Sequence, residues 1–332
     1  MRVLVTGGAG YIGSHVVKTL LRSGYEVTVL DNLVRGHKAV AKVLKEAEFV
    51  WGDIADRELV TGILRSRRID AVMHFAALSL VGESVENPTL YYENNVIKGL
   101  MLLDSIREAD IAYFIFSSSA AVYGEPLQVP IEEDHVLLPT NPYGATKRAF
   151  EEALKWYDSA YGLKYMSLRY FNAVGADPEG DLGEDHRPET HLVPLILQAA
   201  MGKREKIIVY GADYPTPDGT CIRDYVHVCD LASAHVLALE ALTRGQSSAV
   251  YNLGSERGLS VWEIIQAARK VTGRNIPVEI GPRRPGDPAV LVASAKKAKE
   301  FLGWKPCFTD IEGIISTAWE WYCRHPEGYD GK

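Results

Sequence analysis

In the stretch PTNPYGATKRAFEEAL, from Pro139 to Leu154, Tyr143 stands four residues before Lys147. Asn141 has the side chain of a helix N-cap, and Pro142 suits the first helical position, where no N–H is required. On a helix, positions i and i+4 share a face. A phenol and an ammonium are therefore expected side by side. A free phenol has a pKa near 10, and bringing it to 7 takes roughly 4 kcal/mol. One ammonium about 4–5 Å away, at an effective dielectric near 20, supplies on the order of 3–4 kcal/mol. The pair can therefore make a tyrosinate base. Surface helices also carry such pairs by chance, so the rest of the chain decides.

A second group of residues points to a nucleotide. The first apolar run, RVLVTGG, leads into GGAGYIGSH, with Gly7, Gly10 and Gly13 spaced G-x-x-G-x-x-G. Such a turn lets backbone approach a pyrophosphate and aims a helix N-terminus at its charge. The next apolar run, EVTVLDN, ends at Asp31, 18 residues after Gly13 (31 minus 13). An acid there accepts hydrogen bonds from ribose hydroxyls and favours NAD over NADP. Asp53, in WGDIAD, ends a third such run on the same sheet edge; a turn aspartate reads equally well on spacing alone. Ser119 closes YFIFSSS, which puts its hydroxyl at the carboxyl end of a strand, the edge where open parallel sheets bind ligands.

The elements that must position these groups alternate. RVLVTGG, EVTVLDN, EFVWGDIAD, DAVMHFAA, YFIFSSSA and KYMSLRYFNAVG read as strands, with helical patterns between them. Apolar strands separated by helices predict a parallel, doubly wound α/β sheet covered on both faces. After about Gly175 the texture changes: GADPEGDLGEDHRPETH is rich in Gly, Pro and acids. The expected division is a dinucleotide-binding domain over residues 1–174 and a smaller α/β substrate domain over 175–332, with 223–250 packing back on the large sheet.

Composition narrows the partners. Of 332 residues, 47% are apolar and 24% charged, an ordinary globular balance. The net charge of -7 argues against nucleic acid or an anionic membrane as the main partner. No apolar run reaches the roughly 18 residues of a membrane span, and the N-terminus has no signal-peptide pattern. The four cysteines, Cys221, Cys229, Cys307 and Cys323, form no C-x-x-C and have no histidine cluster beside them. They read as buried free thiols in a reducing cytoplasm, and no metal is expected.

Over nearly its whole length the chain resembles the extended short-chain dehydrogenase/reductases, and within them the UDP-glucose 4-epimerase family. The resemblance rests on VTGGAGYIGSH, DNL, GDI, HFAALSLVGES, YYENNV, FSSSAAVYG, NPYGATK, LRYFNAVGA, DYPTPDGTCIRDYVHVCDLA and RRPGDP. It implies a Rossmann fold, bound NAD, a UDP-hexose substrate and a homodimer through helices near Asn95–Asp110 and Tyr143–Tyr161. It implies catalysis by Ser119, Tyr143 and Lys147. By the same resemblance NAD is held by Gly7, Gly10, Tyr11, Ile12, Gly13, Asp31, Asn32, Asp53, Ile54, Phe75, Ala76, Ala77, Asn94, Ser117, Tyr143, Lys147 and Tyr170. The UDP-sugar is held by Ser119, Asn172, His191, Leu192, Arg223, Arg284, Asp287 and Leu291. Two positions depart from relatives: Ser79 stands where some have lysine, and His191 where others have asparagine. Dehydratases on this scaffold place an Asp–Glu pair where this chain has Ala120 and Ala121. A UDP-uronic acid epimerase and a non-catalytic NAD-sensing scaffold are the alternatives.

Overall fold

The computed structural model describes residues 1–284 and 286–331, and the side chains of residues 1–284 and 286–329. Thirteen strands follow in chain order among the described residues. They are β1 (Arg2–Thr6), β2 (Glu26–Asp31), β3 (Glu48–Trp51), β4 (Ala71–His74), β5 (Tyr113–Ser119), β6 (Lys164–Tyr170), β7 (Asn172–Val174), β8 (Ile207–Tyr210), β9 (Ile222–His227), β10 (Ala249–Leu253), β11 (Gly258–Ser260), β12 (Val278–Gly281) and β13 (Val290–Leu291). Seven form one parallel sheet in the order β10-β6-β5-β4-β1-β2-β3. The order reverses beside β1, and the carboxyl ends of β1, β2, β4 and β5 converge there. That is the switch point where a doubly wound sheet opens a crevice.

The helices form where the sequence patterns place them. The Tyr11–Arg22 helix starts directly at the glycine turn. It ends before Gly24, which has a φ of +80°; a residue without Cβ takes that left-handed position with little strain. The Pro142–Tyr161 helix is capped by Asn141, whose side chain accepts from the Gly144 N–H at 2.9 Å, with Pro142 at its first turn. Gly162, at φ +74°, ends it. The central strands are buried on both faces: Val3, Leu4, Val5, Ala71, Val72, Met73, Phe114 and Ile115 have no exposed surface. Burial of this kind stabilises by roughly 1.5–3 kcal/mol per large side chain.

The C-terminal half does not pack as a separate body. β10 adds to the edge of the large sheet beside β6, and the Val228–Thr243 helix lies against the Tyr11–Arg22 helix. Residues 222–227 themselves form β9, in a four-stranded sheet with β7, β11 and β13; the return to the large sheet is made by the helix and strand that follow. In the opposite direction, the Ile131 N–H donates to Val292 and its carbonyl accepts from Ser294, both at 2.8 Å. One apolar cluster runs from Val3 through Tyr170 to Trp321. The cysteines differ from expectation: all are free, but only Cys221 is buried, while Cys307 and Cys323 are exposed.

Candidate active site

The glycine turn is sterically required. Gly7 has a φ of +72°, and a Cβ on it would lie 2.6 Å from the Ala76 nitrogen and 2.7 Å from the Phe75 carbonyl carbon. A Cβ on Gly13 would lie 2.3 Å from the Gly7 oxygen. These contacts seat the turn against the end of β4. Gly10 is the N-cap of the Tyr11–Arg22 helix, and no side chain caps it. The first N–H groups at Tyr11, Ile12 and Gly13 therefore point toward the crevice, in the arrangement that holds an anionic pyrophosphate.

Asp31 is the last residue of β2 and is buried. Its carboxylate accepts from the Ala9 N–H at 2.9 Å and the Leu33 N–H at 2.8 Å. Burial raises its pKa, against the pull of those two donors. Asp53 lies two residues beyond β3. Its carboxylate accepts from Lys98 at 2.8 Å, Asn32 at 3.0 Å and the Ala55 N–H at 3.0 Å. Burial works against ionisation there, but the Lys98 ammonium more than offsets it and the pKa is lowered. Asp53 thus fixes the loop that carries Asn32, with Ile54 buried beneath.

Tyr143, Lys147 and Ser119 come together at the carboxyl edge of β5. The Ser119 hydroxyl accepts from the Ala121 N–H at 3.2 Å and is near enough to the Tyr143 phenol to favour its ionised form. The Lys147 ammonium donates to the Ser117 carbonyl at 2.8 Å and stands 5.8 Å from the centre of the Tyr143 ring. Tyr170, on the adjacent strand, donates to the Ser117 hydroxyl. The electrostatics add burial to the expectation that the Lys147 ammonium does most of the work of making a tyrosinate. Burial raises the Tyr143 pKa, and the nearby Ser119 hydroxyl only partly opposes it. Burial also pulls Lys147 down to about 7, with the Glu151 charge opposing. Desolvating both members disfavours both charged forms, which the sequence argument for an ammonium near a phenol had left out. Further positive charge has to come from whatever binds beside them.

Two buried groups that sequence reasoning missed hold this edge in place. Asn95 accepts from the Leu78 N–H and donates to the Leu78 carbonyl, each at 2.9 Å, and donates to Thr146 at 3.2 Å. It joins the segment after β4 to the Pro142–Tyr161 helix, with Asn94 donating to it at 3.0 Å. Glu151, one turn beyond Lys147, accepts from Ser118 at 2.6 Å and from Arg169 at 2.9 and 2.5 Å. Arg169 also donates to the Tyr123 hydroxyl at 2.9 Å, which donates to Asn252 at 2.6 Å. Burial opposes the charge on Arg169, but the Glu151 carboxylate holds its pKa above the ordinary value. Its sequence signal was a single arginine inside the apolar run KYMSLRYF.

Across the crevice, Arg223 on β9 is buried and ion-paired with Asp287. Leu291 on β13 is the register partner of Arg223 and packs at the edge of a cluster containing Ala120 and Phe171. Asn172 opens β7 and is exposed. The Arg284 guanidinium lies 4.0 Å from the centre of the Tyr210 ring. Pro285 of RRPGDP is outside the described residues. Leu192 begins the Leu192–Ala200 helix, whose N-cap His191 supplies no side-chain cap. The His191 ring faces Glu184 and Glu189, at 2.9 and 3.0 Å, rather than capping that helix.

A parallel sheet with an uncapped glycine turn and a Ser–Tyr–Lys cluster at the same edge defines a dinucleotide-dependent enzyme acting on an alcohol or carbonyl carbon. The chain belongs to the NAD dependent epimerase/dehydratase family, whose model matches residues 3–254. It is 54% identical over 329 residues to the UDP-glucose 4-epimerase of Halalkalibacterium halodurans, covering 99% of this chain and 98% of that protein. Its structure is similar to that of UDP-glucose 4-epimerase from Brucella ovis in complex with NAD, at a TM-score of 0.93, 48% identity, and 99% and 98% coverage. It is also similar to UDP-glucose 4-epimerase from Bifidobacterium longum in complex with NAD+ and UDP, at a TM-score of 0.94, 40% identity, and 99% and 100% coverage.

Proposed function

We propose that this chain interconverts UDP-galactose and UDP-glucose through a transient 4-keto sugar, with NAD tightly held. The observation that carries the reading is the grouping of Ser119, Tyr143 and Lys147, with the Lys147 ammonium 5.8 Å from the centre of the Tyr143 ring and bonded to the Ser117 carbonyl, at the same sheet edge as the glycine turn. The cradle fits the cofactor: Gly7 and Gly13 permit the tight turn that a Cβ would block, the helix that follows starts without a side-chain cap, and an acid at Asp31 suits ribose hydroxyls and disfavours a 2′-phosphate. Bound NAD supplies a hydride acceptor for sugar C4, a donor for the return step, and a cationic ring in its oxidised form. Tyr143 takes the proton of the sugar 4-hydroxyl, and Ser119 holds that oxygen. Lys147 stabilises the phenolate through the charge of its ammonium. Arg223 and Arg284 suit the UDP diphosphate, since a guanidinium donates two parallel hydrogen bonds. The first N–H groups of the Leu192–Ala200 helix offer a second anion site.

The acid pair that a dehydratase needs after Ser119 is absent, with Ala120 and Ala121 in its place. Incubation with UDP-galactose, followed for UDP-glucose, tests the reading, with the nucleotide released on denaturation identified in parallel. UDP-glucose and NAD are expected. No interconversion, or release of NADP, contradicts it.

Leu291 sets a further expectation. In resembling enzymes a tyrosine at this place narrows the pocket at the sugar 2-substituent. Here the smaller leucine lies partly buried beside the turn that follows Ser119. UDP-N-acetylgalactosamine is expected to turn over as well, and Leu291→Tyr to lower its kcat/KM about 10–200-fold while sparing UDP-galactose. No turnover of the acetylated sugar by the unaltered chain, or an equal fall for both sugars in Leu291→Tyr, removes Leu291 as the gate.

A homodimer belongs to the same reading. Ile97 and Met101, before and on the Lys98–Glu108 helix, and Trp156 and Tyr161 on the catalytic helix are exposed. Exposed large apolar side chains on these two helices suit a second copy of the chain. Sedimentation at twice the chain mass is expected, and Met101→Glu with Trp156→Glu should give a monomer; a monomeric unaltered chain refutes this. No helix among the described residues is long and apolar enough to cross a membrane, and free thiols fit the cytoplasmic location we assign.

A further inference from the structure

We propose a divalent transition-metal site, of zinc type, formed by Glu184, His186, Glu189 and His191. These residues come from the Gly-, Pro- and acid-rich segment that links the two halves of the sequence. One ligand atom from each lies within 4.8 Å of all the others. The Glu184 carboxylate is 3.0 Å from His186 Nδ1 and 2.9 Å from His191 Nδ1. The Glu189 carboxylate is 3.0 Å from His191 Nδ1 and 3.7 Å from His186 Nδ1. A tetrahedral Zn2+ with ligands at about 2.0–2.1 Å has ligand–ligand edges of about 3.3 Å. The observed separations bracket that edge.

The second observation is an unsatisfied oxygen. Glu189 Oε1 accepts from the N–H groups of Thr190 and His191, at 2.7 and 2.8 Å. This fixes the carboxylate and leaves Oε2, on a side chain only 5% exposed, with no hydrogen-bond partner. It faces into the cluster. A buried carboxylate oxygen whose nearest donor, His186 Nδ1, stands 3.7 Å away is under-satisfied, and a bound cation would satisfy it. The two histidines are the bases that face Glu184 and Glu189. The nearby acidic group of Asp177, Glu179 and Asp181 is different, because the Lys18 ammonium already sits among its carboxylates.

Two imidazole nitrogens with two carboxylates suit zinc, cobalt or nickel rather than magnesium or calcium, which prefer oxygen alone. The surroundings fix the ligands as outer-shell contacts do in metal sites: Tyr322 donates to the Glu184 carbonyl at 2.9 Å, and the His186 ring meets the Tyr11 ring edge-on. The role is structural. Bound metal would clamp the linking segment between the first turn of the dinucleotide-facing helix, at Tyr11, and His191, the N-cap of the Leu192–Ala200 helix. The sequence reading looked for zinc only among the cysteines and so passed over these residues.

The experiment uses the full chain prepared without a metal-affinity tag. Elemental analysis is expected to find about one zinc per chain. Chelator-stripped protein should take up one Co2+ with the visible absorption of a four-coordinate N/O site, and Zn2+ should displace it and raise the thermal midpoint. His186→Gln and Glu189→Gln should each weaken Zn2+ binding at least tenfold, while Asp181→Asn should not. The proposal is overturned if stripped, folded, unaltered protein takes up neither Co2+ nor Zn2+. It is overturned equally if uptake is unchanged in the His186→Gln, Glu189→Gln double variant; the four side chains are then an ion-pair cluster only. None of these readouts depends on the epimerase reading, which the sugar-nucleotide assay tests separately.

Discussion

Tyr143→Phe is expected to cut turnover of UDP-galactose by about 10²–10⁴-fold, the usual contribution of a positioned acid–base group. NAD is expected to stay bound, because the glycine turn and Asp31 are untouched. In the proposed reading the Tyr143 phenolate accepts the sugar proton at this edge, and Ser119 stands near enough to favour that ionised form. Phenylalanine keeps the ring that meets Tyr91 edge-on at 6.5 Å, so the pocket is preserved. Lys147→Met should act differently. Losing the ammonium raises the phenol pKa further, so the ascending limb of the pH–rate profile moves to higher pH and part of the activity returns in alkali. The sign follows from which form works: the phenolate is active, and a higher pKa leaves less of it at any given pH below that value. Near-normal activity in Tyr143→Phe, or an unmoved profile in Lys147→Met, would sink the assignment.

Glu151→Leu is expected to lower the stability of the fold by about 3–5 kcal/mol, the penalty for leaving one member of a buried ion pair without the other. Glu151 and Arg169 are both buried, and the carboxylate also accepts from Ser118. Removing the carboxylate strands the guanidinium among Tyr123, Asn252 and the carbonyl of Glu133. Chemical denaturation reads the change. The double variant Glu151→Leu with Arg169→Met should recover a large part of it, since two matched apolar groups leave no charge unpaired. A second effect is catalytic: the Glu151 charge supports protonation of Lys147 one turn away, so its loss lowers the lysine pKa further. A change below about 1 kcal/mol, or no recovery in the double variant, would show that the pair does not organise this edge.

The sequence by itself determined the features that depend on local chemistry. Glycines at positions 7, 10 and 13 between an apolar strand and a helix leave few backbone solutions, and the turn takes the one expected. Asn141 and Pro142 start the Pro142–Tyr161 helix where their side chains demand. Four-residue spacing then puts Tyr143 and Lys147 on one face, and Ser119 falls at a strand end because the β-branched and aromatic run stops there. These are short-range constraints, each legible within about ten residues. What only the tertiary structure decided involves partners far apart in the chain. The protonation balance of Tyr143 and Lys147 is set by burial, which no spacing reveals. Arg169 meets Glu151 across 18 positions and the Tyr123–Asn252 pair across the sheet. β10, from the second half, closes the large sheet, because strand pairing selects its neighbour by shape and burial rather than by nearness in sequence. The four side chains from Glu184 to His191 lie within eight residues, yet their convergence depends on a folded loop held by Tyr322 and Tyr11. A pattern of two glutamates and two histidines reads as a polar linker until that loop's conformation turns them inward.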